Sequence, residues 1–543
     1  KPCWLPNPNE PGMQLAVKWA TGLILLVLAA WQPLGGETPA HEPATLVIRN
    51  GTVFDGTGSS GRITDIVVSG DKIAHVGETL PAQYADARVI DATGLIVAPG
   101  FIDPHTHAFS DLNSDNVERR RNLPFAYQGV TTVLVGNDGF GSSEIARMAS
   151  RARQMKIGTN VAYLAGFGYI RQSVIGNENR APTASEMGRM KEMMTQAMCQ
   201  GAVGLSAGLY YTPQNFAKTG EVVELARIAA RHGGYYDTHM RDESTYNIGL
   251  SGAVEESLEI GRQSGAPVHI AHIKALGPAV WGHSSKIISR IEKARSDGQQ
   301  VTADQYPWAA SGTRISNALV PRWALDGGLD GLRQRLADPA TRESIRKEML
   351  EGLARRGGAD KLLITGRLGK AEVERGVTLA KIAQARSLQP VDAAIEILTT
   401  GDARVASFNM NLEDIRAFAR QPWVVTGSDG STGHPRKYGS FPKAYRDFVK
   451  DGDLMSLARF VRRSSGQVAD IAGLTDRGYL KAGKAADIVI FDPESFAPNA
   501  TYQLPRELSS GVQYLLVNGL PLIEDGKHTN NLPGRPLLKD NTC

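Results

Sequence analysis

The sequence predicts an α/β protein: a (β/α)8 TIM barrel with a small β-sandwich built from both termini and an inserted lid subdomain. Three observations support this fold. Apolar strand candidates alternate with helical stretches through the middle of the chain, short strands with glycine-rich turns occupy both ends, and one interval is too long for a single helix. With 543 residues, 42% of them hydrophobic, the chain is long enough for one large domain and a smaller one.

The first 40 residues are predicted to lie outside this fold. Met13 and Lys18 precede an apolar run at 19–31, and a small-residue site follows at 38–40. This order of features is typical of a secretory signal peptide. We therefore expect residues 1–40 to be upstream residues and a signal peptide, and the protein to be secreted or periplasmic without stable membrane insertion. An uncleaved anchor is the alternative.

The β-sandwich is predicted from segments 41–98 and 476–537, which leaves 538–543 as a tail. Strand candidates in these segments are followed by hairpin turns such as Asn50-Gly51 and Asn518-Gly519. Because the two strand-rich pieces flank an α/β region, we expect them to form one sandwich.

The barrel is predicted at 99–475. Its strand candidates are 95–102, 130–135, 160–165, 202–207, 234–238, 267–271, 300–303 and 423–426. Eight strands separated by helices favour a barrel over a doubly wound sheet. The interval after the seventh candidate holds far more than one helix, so we expect part of it, about 313–366, to be an inserted lid.

The charge and the cysteine content limit the partners and the disulfide bonds that we expect. The net charge is only +4 and no basic run or stripe occurs, which argues against nucleic acid as a partner. Only Cys199 is internal, since Cys3 precedes the apolar run and Cys543 is the last residue. We expect Cys199 to be a buried thiol on a helix, without a disulfide partner.

Candidate catalytic residues follow the predicted barrel strands, at the end where TIM barrels carry active sites. His105 and His107 follow the first strand, and their spacing on an extended chain turns both imidazoles to one side. His239, His272 and Asp429 stand at the ends of the fifth, sixth and eighth strands. A His-x-His pair alone is not specific, but this combination predicts a metal site.

Imidazoles with a carboxylate suit Zn²⁺ best, with Mn²⁺, Co²⁺ or Ni²⁺ as alternatives. A metal with an open position activates water at neutral pH and polarises a scissile carbonyl. Asp429 is predicted to act as the general base and then to protonate the leaving amine. The sequence therefore predicts metal-assisted hydrolysis.

Several motifs resemble a known family. VAPGFIDPHTH at 97–107 resembles the first-strand signature of the amidohydrolase superfamily, which includes hydantoinases and dihydroorotases. The segments that resemble the narrower group of N-acyl-D-amino-acid deacylases (D-aminoacylases) are GLYYTP, THMRDE, HIAHIK, ADQYPW, TGSDG, HPRKYGSFP and LPGRPL. This resemblance spans about 45–537 and implies a metal-dependent hydrolase that cleaves the amide bond of N-acyl-D-amino acids or related D-configured peptides.

The resemblance also implies residue roles. The implied metal ligands are His105, His107, His239 and His272, with Asp429 as general base and further ligand. The implied contacts to the carboxylate of the substrate come from Tyr210, Lys274, Tyr306 and Arg436, which supply cationic and hydroxyl donors. Arg241, on the same strand face as His239, is a further candidate for substrate binding.

The chain departs from the deacylases after the second strand. These enzymes usually carry a metal-binding cysteine in the motif GNCG, whereas this chain has VGNDG with Asp138 in place of the thiolate. We predict that Asp138 is an oxygen ligand, which leaves open whether it bridges two metals or helps to hold one. The alternative is that Asp138 only caps its turn. Ile273 stands where the family often has a second histidine, and no lysine near the fourth strand offers a carboxylated-lysine bridge.

The expected partner is a small-molecule acylated amino acid, and the sequence leaves a homo-oligomer open. The alternative activities are those of a dipeptidase or a cyclic-amide hydrolase of the same superfamily. The alternative from another class is a non-catalytic binding protein on the same barrel, and the complete set of histidines and aspartate argues against it.

Overall fold

The computed structural model describes residues 46–78, 84, 86–541 and 543. The signal segment expected at 1–40 lies outside the described residues. Within the described part of the chain, no helix combines the length and the apolar composition that crossing a membrane requires.

The strands are numbered in chain order. They are β1 (Leu46–Arg49), β2 (Thr52–Val53), β3 (Arg62–Ile63), β4 (Asp65–Ser69), β5 (Lys72–Gly77), β6 (Arg88–Asp91), β7 (Ile96–Pro99), β8 (Phe101–Asp103), β9 (Val130–Val135), β10 (Asn160–Gly166), β11 (Gly204–Gly208), β12 (Tyr235–His239), β13 (Val268–Ile270), β14 (Val301–Gln305), β15 (Ser311–Arg314), β16 (Leu362–Gly369), β17 (Gly401–Ser407), β18 (Val424–Thr426), β19 (Ile488–Phe491), β20 (Val512–Val517), β21 (Leu520–Glu524), β22 (Lys527–His528) and β23 (Pro536–Leu537).

The α-helices are numbered in the same way. They are α1 (Phe109–Leu112), α2 (Val117–Arg120), α3 (Leu123–Ala126), α4 (Ile145–Met155), α5 (Phe167–Ile175), α6 (Ala184–Cys199), α7 (Thr219–Arg231), α8 (Gly249–Ser264), α9 (Ser284–Ser296), α10 (Ile315–Leu319), α11 (Gly328–Ala337), α12 (Pro339–Arg355), α13 (Leu379–Ala385), α14 (Pro390–Thr400), α15 (Leu412–Ala419), α16 (Arg436–Tyr445), α17 (Leu457–Ser464) and α18 (Gly466–Ala472).

Eight parallel strands form the barrel, in the order β8, β9, β10, β11, β12, β13, β14 and β18. A parallel bridge between Thr106 and Gly430 joins the segments that follow the first and last of these strands. The strands are buried because helices cover the outside; all six residues of β9 are buried, for example. The predicted barrel is confirmed, and its carboxyl ends meet at one mouth.

The strand predicted at 95–102 is wrong in one respect, because it is two strands that belong to different sheets. β7 pairs with β19 in the sandwich, whereas β8 pairs with β9 in the barrel. They separate at Gly100, where a Cβ would lie 2.2 Å from the Thr131 side chain. A glycine is therefore required where the chain passes from one sheet to the next.

The sandwich consists of two sheets, as predicted. One has the order β5-β4-β1-β6, and the other has the order β22-β21-β20-β19-β7-β2-β3, which combines strands from both ends of the chain. Ile48 and Ile66 of the first sheet share a buried apolar cluster with Val97 and Ile490 of the second. This shared core joins the amino-terminal and carboxyl-terminal segments.

The inserted subdomain comprises residues 311–407, which is longer than the predicted 313–366. It contains the antiparallel sheet β15-β17-β16 and helices α10 to α14. It also has its own apolar core, which includes Leu332, Ile364 and Val405. The prediction ended too early because β17 lies between β15 and β16 in space but follows both of them in sequence.

The carboxyl-terminal segment attaches to the barrel. β23 pairs with β10, so 536–537 belongs with the barrel and not with the sandwich. The expectation for Cys199 is wrong: this residue is exposed at the end of α6 and forms a disulfide with Cys543, 344 residues away. The pairing could not be inferred from sequence because only the folded chain brings the last residue beside α6.

Candidate active site

Six side chains from five barrel strands meet at the carboxyl end of the barrel. They follow or end β8, β9, β12, β13 and β18, and they are His105, His107, Asp138, His239, His272 and Asp429. Five of them are buried, while the side chain of His107 is 35% exposed and lies towards the cavity at the mouth. The structure thus brings together all six residues that the sequence suggested as metal ligands.

The carboxylate of Asp138 lies at the centre of this group. Its Oδ1 is 3.4 Å from Nε2 of His105 and 3.5 Å from Nδ1 of His239. The same oxygen is 3.7 Å from Nε2 of His272, and Oδ2 is 3.5 Å from Nε2 of His107. Both oxygens therefore face histidine nitrogens from different strands, which is the arrangement that a shared ligand requires.

Asp429 joins the metal-ligand group to a buried cation. Its Oδ1 is 3.1 Å from Nε2 of His107, and its Oδ2 is 2.8 Å from Nη1 of Arg436. Burial by itself would raise the pKa of Asp429, but the charges of Arg436 and His272 outweigh burial and lower it below the ordinary value. Asp429 is thus an ionised carboxylate that is able to accept a proton.

The chemistry of the donor atoms fits a divalent metal. Both ring nitrogens of His105 and of His239, together with Oδ1 of Asp138, are buried and have no hydrogen-bond partner in the described structure. Unpaired buried polar atoms are costly, and a cation would satisfy them. Within each of three groups, His105/His107/Asp429, His105/Asp138/His272 and His239/Glu243/His272, the ligand atoms lie within 4.8 Å of one another.

Electrostatics and backbone conformation support the same assignment. Burial alone would lower the pKa of His105, but the negative charges of Asp138, Asp429 and Asp304 raise it to about 10. A field that favours a proton on His105 also favours a metal cation. In addition, Asp138, His272 and Asp429 have positive φ angles of 57°, 35° and 48°. Such strained backbone is characteristic of functional sites.

One carboxylate that orients a histidine was not predicted from the sequence. Glu243 Oε1 is 3.1 Å from Nδ1 of His272. Asp304 pairs with Nε2 of His269 at 3.2 Å, and at 3.9 Å from Nδ1 of His105 it contributes only negative charge there. A carboxylate on the second ring nitrogen fixes the tautomer and orientation of a metal-binding histidine. Glu243 stands four residues after His239, within the motif THMRDE, so a signal for it was present.

Lys274 is buried beside the metal-ligand group. Its Nζ is 2.5 Å from Oε1 of Glu243 and 2.5 Å from Nδ1 of His272, and the residue is only 4% exposed. Lys274 therefore forms an ion pair with Glu243 next to the predicted metal ligand His272. Its Nζ also lies 5.7 Å from the ring centre of Tyr306, and its predicted contact with the substrate stays a prediction.

A cavity of about 520 Å³ opens over the ligand group. Its wall includes His107, Asp138, Asp429, Arg436 and Tyr211. Arg436 is 2% exposed, and its guanidinium lies 5.0 Å from the ring centre of Tyr306. The hydroxyl of Tyr306 is buried without a hydrogen-bond partner among the described residues. Arg436 thus places donors next to Asp429, and the ring of Tyr306 lies beside Arg436.

Tyr210 and Arg241 are turned away from this cavity. The Tyr210 hydroxyl donates to the Asn317 carbonyl and accepts from Arg356 at 3.2 Å. Arg241 is paired with Glu256 at 2.8 Å and donates to two backbone carbonyls. Both side chains are therefore engaged within the protein, and their role in substrate binding stays a prediction. Tyr211, which was not among the predicted site residues, lines the cavity, with its ring 4.7 Å from that of His239.

A parallel barrel with histidines and aspartates of this kind at its strand ends defines a metal-dependent barrel hydrolase. The chain belongs to the amidohydrolase family, which it matches over residues 88–313 and 338–522. It is 32% identical to the D-aminoacylase of Alcaligenes xylosoxydans xylosoxydans over 526 residues, or 92% of this chain and 98% of the relative. The resemblance noted in the sequence is confirmed.

Solved structures of deacylases are similar to this chain over most of its length. The N-acyl-D-glutamate deacylase of Bordetella bronchiseptica, complexed with zinc and a phosphonate mimic of the tetrahedral intermediate, matches with a TM-score of 0.77 at 30% identity. A D-aminoacylase studied for its binuclear metal centre matches with a TM-score of 0.76 at 31% identity. Each match covers 92% of this chain and 100% of the other.

Proposed function

We propose that this protein hydrolyses the amide bond of N-acyl-D-amino acids and that it binds zinc to do so. The observation that carries the proposal is the Asp138-centred ligand group, which shares one cavity with Asp429 and Arg436. A proton acceptor and an anion-binding cation stand next to a metal site in that cavity. The names of the relatives that match over most of the chain support the choice of substrate.

Two metal positions are proposed. His105, His107 and Asp429 would hold the first metal, His239 and His272 would hold the second, and Asp138 would serve as a ligand of both. When bound, the metal supplies Lewis-acid polarisation of the scissile carbonyl and lowers the pKa of water. The histidines and carboxylates suit zinc, and Asp138 in place of a thiolate also admits the harder ions Mn²⁺ and Co²⁺.

Asp429 moves the proton. The attacking water gives a proton to a carboxylate oxygen of Asp429 while its oxygen bonds to the amide carbon. The amine nitrogen then takes that proton as the carbon–nitrogen bond breaks, which yields a free carboxylic acid and a D-amino acid. The lowered pKa of Asp429, caused by Arg436 and His272 against the effect of burial, keeps it ready as the acceptor.

Arg436 and Tyr306 are proposed to hold the α-carboxylate of the substrate. Arg436 already contacts Asp429 and donates to Oγ of Ser431 at 3.2 Å. Because its guanidinium group has five N–H donors, donors remain for a second carboxylate. The free hydroxyl of Tyr306 adds another donor. Binding at this point fixes the amide bond relative to Asp429.

A substrate panel tests this function. The zinc-loaded enzyme is incubated with matched N-acetyl-D- and N-acetyl-L-amino acids, L-dipeptides and hydantoins, and the released acid and amine are measured by HPLC. We expect turnover of the N-acetyl-D series, with activity lost on chelation and restored by zinc. Turnover of dipeptides or hydantoins with inert N-acetyl-D-amino acids would transfer the assignment to the alternative activities.

We also propose that the protein works in an oxidising compartment outside the cytoplasm. The disulfide between Cys199 and Cys543 supports this, because structural disulfides persist in such compartments. Fractionation of the native host tests it: recovery of the protein in the periplasm or the medium is expected, and recovery only in the cytoplasm would contradict the proposal.

A further inference from the structure

The inserted subdomain brings two arginines into the wall of the catalytic cavity. Arg314 on β15 and Arg404 on β17 both line it, and they are direct cross-strand partners in the antiparallel sheet. Directly opposed residues of such a pair have Cβ atoms about 4.5–5.5 Å apart, and like charges in this position are destabilising. Arg314 is exposed and Arg404 is half-buried, and an anion bound between them would relieve the repulsion.

No carboxylate of the described residues supplies that charge through an ion pair, and neither guanidinium has a hydrogen-bond partner there. The nearby Asp402 is already engaged, since it accepts from the hydroxyl and the backbone N–H of Ser316 at 2.6 and 3.3 Å. Burial and the charge of Arg314 lower the pKa of Arg404, against the effect of Asp402. The pair is thus poised to receive an anion from outside the protein.

The pair is also close to the proposed α-carboxylate site. Gly312 packs against Arg436, because a Cβ on Gly312 would lie 3.0 Å from Nη2 of Arg436. Arg314 is two residues further along β15 and lies on the same face of the strand, about 6.8 Å away at the usual rise per residue. This separation is on the scale of one amino-acid side chain.

Further arginines line an adjoining cavity. This cavity, of about 360 Å³, shares Thr365, Arg404 and Thr432 with the catalytic cavity. Its wall carries Arg367, Arg375 and Arg506 and, among the described residues, no aspartate or glutamate. A cleft lined by one sign of charge concentrates ligands of the opposite sign and speeds their association.

We propose that Arg314 and Arg404 form a second anion-binding subsite, which selects N-acyl-D-amino acids with an acidic side chain. The inference rests on the proposed function and specifies its substrate. The α-carboxylate lies at Arg436, and the side chain, which branches from the same carbon, extends along β15 to the arginine pair. The outer arginines act by long-range attraction.

The test compares substrates of equal shape and different charge. kcat/KM is measured for N-acetyl-D-glutamate and N-acetyl-D-glutamine with the zinc-loaded protein and with the variants Arg314→Gln and Arg404→Gln. We expect the unaltered protein to prefer the glutamate substrate by about 10- to 100-fold, the size of a charge-assisted contact. Each substitution should lower the glutamate-to-glutamine ratio by about 10-fold.

Arg506→Gln is the matched control, because it removes the same charge from the outer cavity alone. It should lower the ratio by less than about 3-fold, with a loss that disappears at high salt. The inference is overturned if the unaltered protein has a ratio near one, or if all three variants change the ratio equally. N-succinyl-D-leucine carries its additional carboxylate on the acyl group and not on the side chain. A preference for it over both acetylated substrates would also overturn the inference, because the arginine pair would then bind the acyl group.

The two proposals fail differently. If N-acetyl-D-glutamine and N-acetyl-D-leucine are hydrolysed but the glutamate substrate is not preferred, only the subsite is refuted. If no N-acetyl-D-amino acid is hydrolysed, the proposed function fails with it. Thermal unfolding of each variant shows whether a lost ratio comes from a damaged fold, and the double variant Arg314→Lys/Arg404→Lys, which keeps both charges, should retain most of the preference.

Discussion

Replacement of Asp429 by asparagine separates proton transfer from structure. Asparagine keeps the shape and an acceptor oxygen for Arg436, 2.8 Å away, but it cannot take a proton from water. Loss of a general base lowers turnover by about 10²- to 10⁴-fold. This corresponds to about 2.7–5.4 kcal/mol of activation free energy at about 1.36 kcal/mol per factor of ten.

A neighbouring ion pair provides the control. Asp111 is buried and contacts Lys437, so Asp111→Asn removes a carboxylate from a cation one residue along the chain from Arg436. Both variants should lose a similar free energy of unfolding, about 1–3 kcal/mol in a denaturant titration. Only Asp429→Asn should lose kcat, as measured by release of D-amino acid at saturating substrate.

The metal content of both variants has to be measured, because Asp429 is also a proposed ligand. Elemental analysis should still find zinc in Asp429→Asn, since His105, His107 and Asp138 remain. The reasoning is refuted if Asp429→Asn keeps more than a third of the turnover while it is folded and zinc-loaded. It is equally refuted if Asp111→Asn loses turnover to the same extent.

Three further outcomes are expected. Asp138→Ala should lower zinc affinity by more than about 100-fold and reduce the bound metal per chain, as measured by titration against a chelator; two tightly bound zinc ions in this variant would exclude Asp138 as a shared ligand. Glu243→Gln should weaken zinc binding by about 10- to 100-fold because His272 and Lys274 lose their carboxylate, and unchanged affinity would show that Glu243 does not orient the histidine. Cys543→Ser should lower the free energy of unfolding by about 2–4 kcal/mol without changing kcat, whereas equal stability of the oxidised protein and the variant would mean that the disulfide is dispensable.

The positions of the barrel strands were predictable because they depend on the local sequence. β9 has the predicted bounds, and β10 and β18 each differ from the predicted bounds by one residue at one end, since apolar runs and turn residues mark such elements directly. The split at Gly100 was not predictable, because the residues on both sides are equally apolar and only packing against Thr131 separates the two sheets. The extent of the inserted subdomain depended in the same way on pairing between distant strands.

The ligand group was predictable for a related reason. A barrel gathers the ends of its strands at one mouth, so His105, His239 and Asp429 could be assigned once the alternation of strands and helices was recognised. The sequence by itself placed the six predicted metal ligands at the ends of five barrel strands, because a strand carries its polar terminal residues in its own segment. The direction in which each side chain points was not predictable from the sequence, because it depends on packing against residues far away in the chain.

Only the tertiary structure decided where the remaining side chains point. The Tyr210 hydroxyl bonds to the Asn317 carbonyl while Tyr211 lines the cavity, and Lys274 pairs with Glu243. Arg314 and Arg404, 90 residues apart, become neighbours because β15 pairs with β17. Strand alternation tells which residues share a face, but which face is turned to the cavity is set by the burial of the whole chain, and this is why the charge partners of the site emerged only from the fold.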